Sequence, residues 1–170
     1  MTTTEDAFIR LVRDNDARLR KICRVYAAQP EAREDLYQEI LMQLWRALPS
    51  FEGESQASTW LYRVALNTAM SRKRADDVRR DKQHDTLDES HASFADDSPM
   101  PDERVEARQQ LDRLYSAIDR LGDLDKALVT LYLDERSYHD MAQILGINES
   151  HVGVKLHRIR KELASWLTED

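Results

Sequence analysis

The residues that could do covalent chemistry are few in this chain and stand in no pattern that would support it. His84, His91, His139, His151 and His157 show no zinc spacing with one another or with the single cysteine, so neither a metal nor a cofactor is expected. There is no glycine-rich phosphate loop, no nucleophile elbow and no cysteine pair. Cys23 falls among Leu19, Ile22, Val25 and Tyr26 at helical spacing and reads as a buried thiol, which excludes a disulfide framework. Asp35 and Glu39 lie on the polar face of a helix without an adjacent histidine, so they are not an acid and base pair, and no enzyme is expected. The chemistry that remains is recognition. His151, Lys155, Arg158 and Lys161 follow a turn between two helical segments, and such cations neutralise phosphates and reach base edges.

Two stretches must position these groups. In the first, residues 31–74, Leu36, Tyr37, Ile40, Leu41, Leu44, Trp45 and Leu48 fall on one arc of a helix, and Asp35, Gln38, Glu39, Met42 and Arg46 on the other. Pro30 suits the first helical turn, where Glu31, Glu34 and Asp35 meet a favourable dipole, and Pro49 with Gly53 stops the helix. Ser50 to Ala57 form a polar loop whose one large apolar residue is Phe51. A second helix, capped by Ser58 or Thr59, puts Trp60, Leu61, Val64, Ala65 and Thr68 on one face. Arg63, Asn67, Arg72, Lys73 and Arg74 lie off that face or beyond it. Ahead of this stretch, Phe8 to Tyr26 has the spacing of a packing helix with room for an interruption near Asn15 and Asp16.

The second stretch, residues 137–160, reads as a helix-turn-helix. Ser137 caps the first helix, with Asp140 three residues on. Ala142 is small where two helices approach, Gly146 supplies the turn and Asn148 caps the second helix. Val152, Leu156, Ile159, Leu163 and Leu167 form an apolar stripe that leaves His151, Lys155, Arg158 and Lys161 largely free for DNA, a reading favoured over an ordinary helical hairpin. Before it, Leu111, Leu114, Tyr115, Ile118 and Leu121 mark one helix and Leu128, Leu131, Tyr132 and Leu133 another, with Gly122 between.

These residues resemble the extracytoplasmic-function sigma factors, compact members of the sigma-70 family of transcription initiation factors. Asp35-Leu36-x-Gln38-Glu39 with Leu44-Trp45-Arg46-Ala47-Leu48 resembles the family's core-polymerase-binding helix. Thr59-Trp60-Leu61-Tyr62-Arg63-Val64-Ala65-x-Asn67 resembles its promoter-melting helix. Ser137-Tyr138, Ile144-Leu145-Gly146-Ile147 and Leu156-His157-Arg158-x-Arg160 are similar to the domain that binds the minus-35 element, with a departure at Gly153, where a longer and often basic residue is usual. The resemblance implies core polymerase contacts at Asp35, Leu36, Gln38, Glu39, Met42 and Arg46. It implies minus-10 DNA contacts at Phe51, Trp60, Arg63, Asn67, Arg72, Lys73 and Arg74, with Phe51 and Asn67 lining a pocket for a flipped base. Minus-35 contacts are implied at Ser150, His151, Lys155, His157, Arg158 and Lys161. Its partners would be core RNA polymerase, promoter DNA and, as an open alternative, an anti-sigma factor.

The composition agrees with an all-α chain. Four Gly, four Pro, 34% charged and 7% aromatic residues suit helices better than sheets, and no alternating run of useful length occurs. No apolar stretch approaches a membrane span, and the N-terminus lacks the basic and apolar regions of a signal peptide, so a cytoplasmic protein without membrane insertion is expected. The net charge of -7 counts against nucleic acid only until it is located: Gln83 to Glu103 holds seven acidic residues and neither Lys nor Arg. That segment lacks periodicity and reads as a flexible acidic linker between two small helical domains, residues 1–82 and 104–170, each near the lower size limit for an independent core. A stand-alone helix-turn-helix regulator would account for residues 137–163 but not for the helix bearing Asp35 or the helix of Trp60. A purely structural helical adaptor would account for neither basic segment.

Overall fold

The computed structural model describes residues 3–53, 56–82 and 102–169, and among these the regular structure is entirely helical. Seven α-helices follow in order: α1 (Thr4–Tyr26), α2 (Pro30–Ala47), α3 (Ala57–Lys82), α4 (Asp102–Asp119), α5 (Asp123–Leu133), α6 (Tyr138–Leu145) and α7 (Glu149–Thr168), with a 3-10 turn at Leu48–Ser50 after α2. The acidic segment expected as a linker lies outside the described residues except for Asp102 and Glu103. These two open α4 instead, where the helix dipole favours their charge.

α1 starts on a reciprocal cap, in which Thr3 Oγ1 accepts from the Asp6 N–H and the Asp6 carboxylate accepts from the Thr3 N–H. It runs unbroken past Asn15, contrary to the interruption the sequence allowed. The Asn15 amide is satisfied within the helix: Nδ2 donates to the Leu11 carbonyl at 2.8 Å and Oδ1 accepts from Arg18 at 2.7 Å. α2 has Pro30 in its first turn and buries Leu36, Ile40 and Leu44. Trp45, expected on the same arc, stands at its edge, 47% exposed and edge-on to Phe8 with ring centroids 5.1 Å apart. α3 begins before either residue proposed to cap it: the Gln56 carbonyl accepts from the Trp60 N–H, so Ser58 and Thr59 lie inside the first turn.

The buried face of α3 is also wider than the sequence pattern allowed. It takes in Tyr62, Leu66 and Met70 as well as Trp60, Leu61 and Ala65, because α3 packs on α1 and α2 on one side and on α5 and α6 on the other. The buried side chains of both halves accordingly form one cluster, from Leu19 and Ile40 through Leu66 to Leu128, Met141 and Ile159. Polar ties bind the halves along this seam. Asp134, just past α5, is a 6% exposed carboxylate that pairs with Lys21 of α1 and accepts from the Tyr62 hydroxyl at 2.6 Å. Tyr26 donates to the Asp123 carbonyl at 2.7 Å, and Arg24 pairs with Asp112 at 2.8 Å while lying over the Tyr115 ring.

The helix-turn-helix is built as its residues suggest. Ser137 Oγ accepts from the Asp140 N–H at 3.0 Å, Asn148 Oδ1 accepts from the His151 N–H at 2.7 Å, and Gly146 takes φ +68°, which a side chain would strain. Gly153 differs: it lies inside α7, and a Cβ there would meet only the Tyr138 ring at an ordinary 3.5 Å. Gly153→Ala is therefore expected to stabilise the chain by about 1 kcal/mol, raising Tm by about 2–4 °C in a thermal melt. A lowered Tm would show that the Tyr138 contact is tighter than it looks.

Candidate nucleic-acid interface

Three surfaces carry the residues singled out in the sequence. The first is the polar face of α2, where Asp35, Gln38, Met42 and Arg46 are exposed and Glu39 is half-buried. Leu36 is buried among the core residues, so its part is to anchor the helix rather than to touch a partner. Arg72 of α3 reaches across this face, with Nη1 3.0 Å from Glu39 Oε2 and Nη2 3.9 Å from Asp35 Oδ2. A residue expected against DNA is thus engaged with the acidic face of the neighbouring helix. Met42, 53% exposed, gives this acidic surface an apolar side next to Trp45, a mixture that suits a protein partner.

The second surface is α3. Arg63 and Asn67 are exposed, as expected, but Arg63 donates through Nη2 to the Gln143 carbonyl of α6 at 2.9 Å. Trp60 is 8% exposed and packs on the half-buried Phe51, ring centroids 5.1 Å apart. Lys73 is occupied by Asp77 one turn on, at 2.9 Å, whereas Arg74 is exposed.

The third surface is α7. Val152, Leu156 and Ile159 are buried against α4, α5 and α6, while Ser150, His151, His157, Arg158 and Lys161 are exposed. Leu167, assigned to the same stripe, has run past the core and is 39% exposed. The expectation that Lys155 and Arg158 stand free is corrected. Asp125 of α5, a carboxylate 16% exposed, pairs with Lys155 Nζ at 3.4 Å and with Arg158 Nη2 at 2.9 Å. The reason is geometric: the first turn of α5, where the dipole favours a carboxylate, abuts the middle of α7. Asp125→Asn is expected to tighten binding of the full chain to mixed-sequence duplex. It should also steepen the fall of log K with log salt by up to about 0.9 per cation released. A slope unchanged between about 50 and about 200 mM salt would mean that neither cation meets phosphate.

Asp125 and Asp134 are the functional neighbours that sequence reasoning missed. Both look like ordinary helix-end charges in the chain, and only the packing of distant helices reveals their partners. Cys23 conforms to expectation, its thiol pushed up to about 12 by burial and so held protonated and inert. Among the described residues no group of His, Cys, Asp and Glu is placed to hold a metal ion, and no helix is long and apolar enough to cross a membrane.

Comparison with known proteins divides the chain along the same lines. The family model for Sigma-70 region 2 matches residues 11–79, and that for Sigma-70, region 4 matches residues 111–163. The ECF RNA polymerase sigma-E factor of Haemophilus influenzae is 32% identical over 133 residues, 75% of this chain and 70% of the relative. The ECF RNA polymerase sigma factor SigW of Bacillus subtilis is 25% identical over 175 residues, 97% of this chain and 91% of the relative. In fold, the chain is similar to the sigma factor RpoE solved in complex with the anti-sigma factor NepR from Bartonella quintana. The TM-score is 0.73 at 22% identity, covering 98% of this chain and 97% of that one.

Proposed function

Because the chain belongs to the extracytoplasmic-function RNA polymerase sigma factors of the sigma-70 family, we propose a division of labour among its three surfaces. As a sigma factor it is not an enzyme: it binds core RNA polymerase, directs it to promoters and promotes their opening. In our reading residues 1–82 dock on core and handle the minus-10 element, residues 83–101 connect, and residues 102–170, whose first helix opens at Asp102, read the minus-35 element. Asp35, Gln38, Glu39, Met42 and Arg46 meet a basic surface of core. Arg63, Asn67 and Arg74 meet minus-10 DNA, with Phe51 and Trp60 supporting them from below and Arg72 and Lys73 joining once their carboxylate partners are displaced. Ser150, His151, Lys155, His157, Arg158 and Lys161 meet the minus-35 duplex. Such a protein acts in the cytoplasm, where polymerase and promoters are. An anti-sigma factor is a further partner class, supported by the likeness in fold to the chain solved with NepR.

The observation that carries this reading is the exposed face of α7, which stands opposite its buried stripe and directly after the Gly146 turn, as a recognition helix must. The test is whether the purified protein converts core polymerase into an enzyme that initiates at a defined promoter. A stand-alone regulator would bind duplex DNA and fail that assay. Within the reading, Asn67 is the cleanest probe of base capture, being exposed and carrying both a donor and an acceptor. Extruding a base costs a few kcal/mol, which hydrogen bonds to its edge offset. Asn67→Ala is expected to keep core affinity yet reduce permanganate-detected opening of duplex promoters by about tenfold, with partial rescue on templates mismatched across the minus-10 region. Opening at the parental rate would remove Asn67 from the melting site.

A further inference from the structure

The residue at the centre of the exposed face of α7 is apolar. At about 100° per residue, Val154 points away from the buried stripe of Val152, Leu156 and Ile159, with Ser150, Arg158 and Lys161 on either side within about 40° and His151 and His157 beyond them. It is 71% exposed, more than any other large apolar residue described. Single exposed apolar residues are ordinary on protein surfaces, but the surroundings of this one are not. Val is β-branched and its neighbour is Gly153, both poor choices for the middle of a helix, and so exposed a side chain gains little from packing. Gly153 puts no side chain beside it, and Lys155 is drawn off the face towards Asp125. The result is a small apolar spot, ringed by polar groups, that can come close to a flat partner.

Resting on the reading of α7 as the minus-35 helix, we propose that Val154 is a specificity-determining residue that selects thymine through contact of its methyl groups with the C5-methyl of the base. In the major groove that methyl group is the one apolar feature a base pair presents. Val154 is the sixth residue of α7, within the first two turns, the part of a recognition helix that reaches base edges. The contact discriminates without a hydrogen bond, at a position where Ser150, Lys161 and, once released from Asp125, Arg158 would hold the phosphates and set the register.

The test uses the holoenzyme reconstituted from the full chain and core polymerase. Promoter duplexes randomised across the minus-35 region are selected, and the best binder is remade with uracil replacing each thymine in turn, which removes only the methyl group. One replacement is expected to weaken the parental holoenzyme about fourfold, the worth of one buried methyl. Val154→Ala and Val154→Ser are expected to start weaker by a similar factor, to lose the preference for thymine at that position and to ignore the uracil there, while responding normally at all others. Both changes are at an exposed position and leave the core untouched. Equal responses of parent and variants to uracil at every position would overturn the assignment of Val154 alone. A selection that enriches nothing across the minus-35 region would overturn the reading of α7 itself.

Discussion

Asp35→Arg combined with Glu39→Arg is expected to lower affinity for core polymerase at least 30-fold, while the helical circular dichroism stays unchanged. The two carboxylates share one face of α2, with side chains 69% and 42% exposed. Neither helps to fill the core, so reversal should not unfold the helix. Removing one partner of a desolvated interfacial charge pair costs about 2–5 kcal/mol, or roughly 30-fold and upward. Arg72 supplies the control, because it occupies both carboxylates from within the chain. Arg72→Ala releases them and is expected to leave core affinity unchanged or tighter. If it weakens core binding as much as the double reversal does, the α2 face serves α3 and not the polymerase. Direct titration of labelled protein with core measures all of these.

Asp134→Ala is expected to let the two halves separate, seen as a larger radius of gyration in small-angle scattering. Asp134 is 6% exposed and lies between Lys21 and the Tyr62 hydroxyl, whose proton is held well above the usual phenol range by burial and by the neighbouring carboxylate. Breaking a buried ion pair costs about 3–5 kcal/mol, and the 30% exposure of Lys21 argues for the lower end. Separation matters because of length. Elements named for positions 10 and 35 lie about 25 base pairs apart, about 85 Å along straight duplex, whereas a packed chain of this size is about 40 Å across. One packed molecule cannot touch both, but residues 83–101, drawn out, would reach about 65 Å. Asp134→Ala should therefore also tighten binding to core, and Tyr62→Phe, which keeps the ring and removes the hydroxyl, should do so in part. An unaltered radius and unaltered core affinity in both variants would mean that other contacts hold the seam.

Much of the fold could be read from the chain because its signals are local. Caps at Ser137 and Asn148, the turn at Gly146, Pro30 at the head of α2 and the apolar stripe of α7 each depend on neighbours within a turn or two, and each is where the pattern puts it. What escaped was long-range. Periodicity assigns one buried face to a helix, but α3 has two, and the second, with Tyr62 and Leu66, is buried by residues some 70 positions later. The candidate sites divide in the same way. Exposure of Asp35, Arg63, Asn67 and His151 follows from their place on the helix, whereas the capture of Arg72 by Glu39 and of Lys155 and Arg158 by Asp125 depends on which helices meet. Val154 was legible and overlooked: an apolar residue on a polar arc departs from the very pattern used to find the arc.

A seam held by Asp134 would also tie polymerase and promoter to each other thermodynamically, without any contact between them. If only the open form engages either partner, each partner alone binds with an affinity reduced by the open fraction. Each step of about 1.4 kcal/mol in the opening cost corresponds to a factor of about 10. Whichever partner arrives first meets that cost, and the second binds an already opened chain at its full intrinsic affinity. The gain is reciprocal by linkage. On that condition free sigma would be a poor ligand for stray promoter DNA, and core polymerase, by holding the halves apart, would return to the promoter the affinity that the seam withheld.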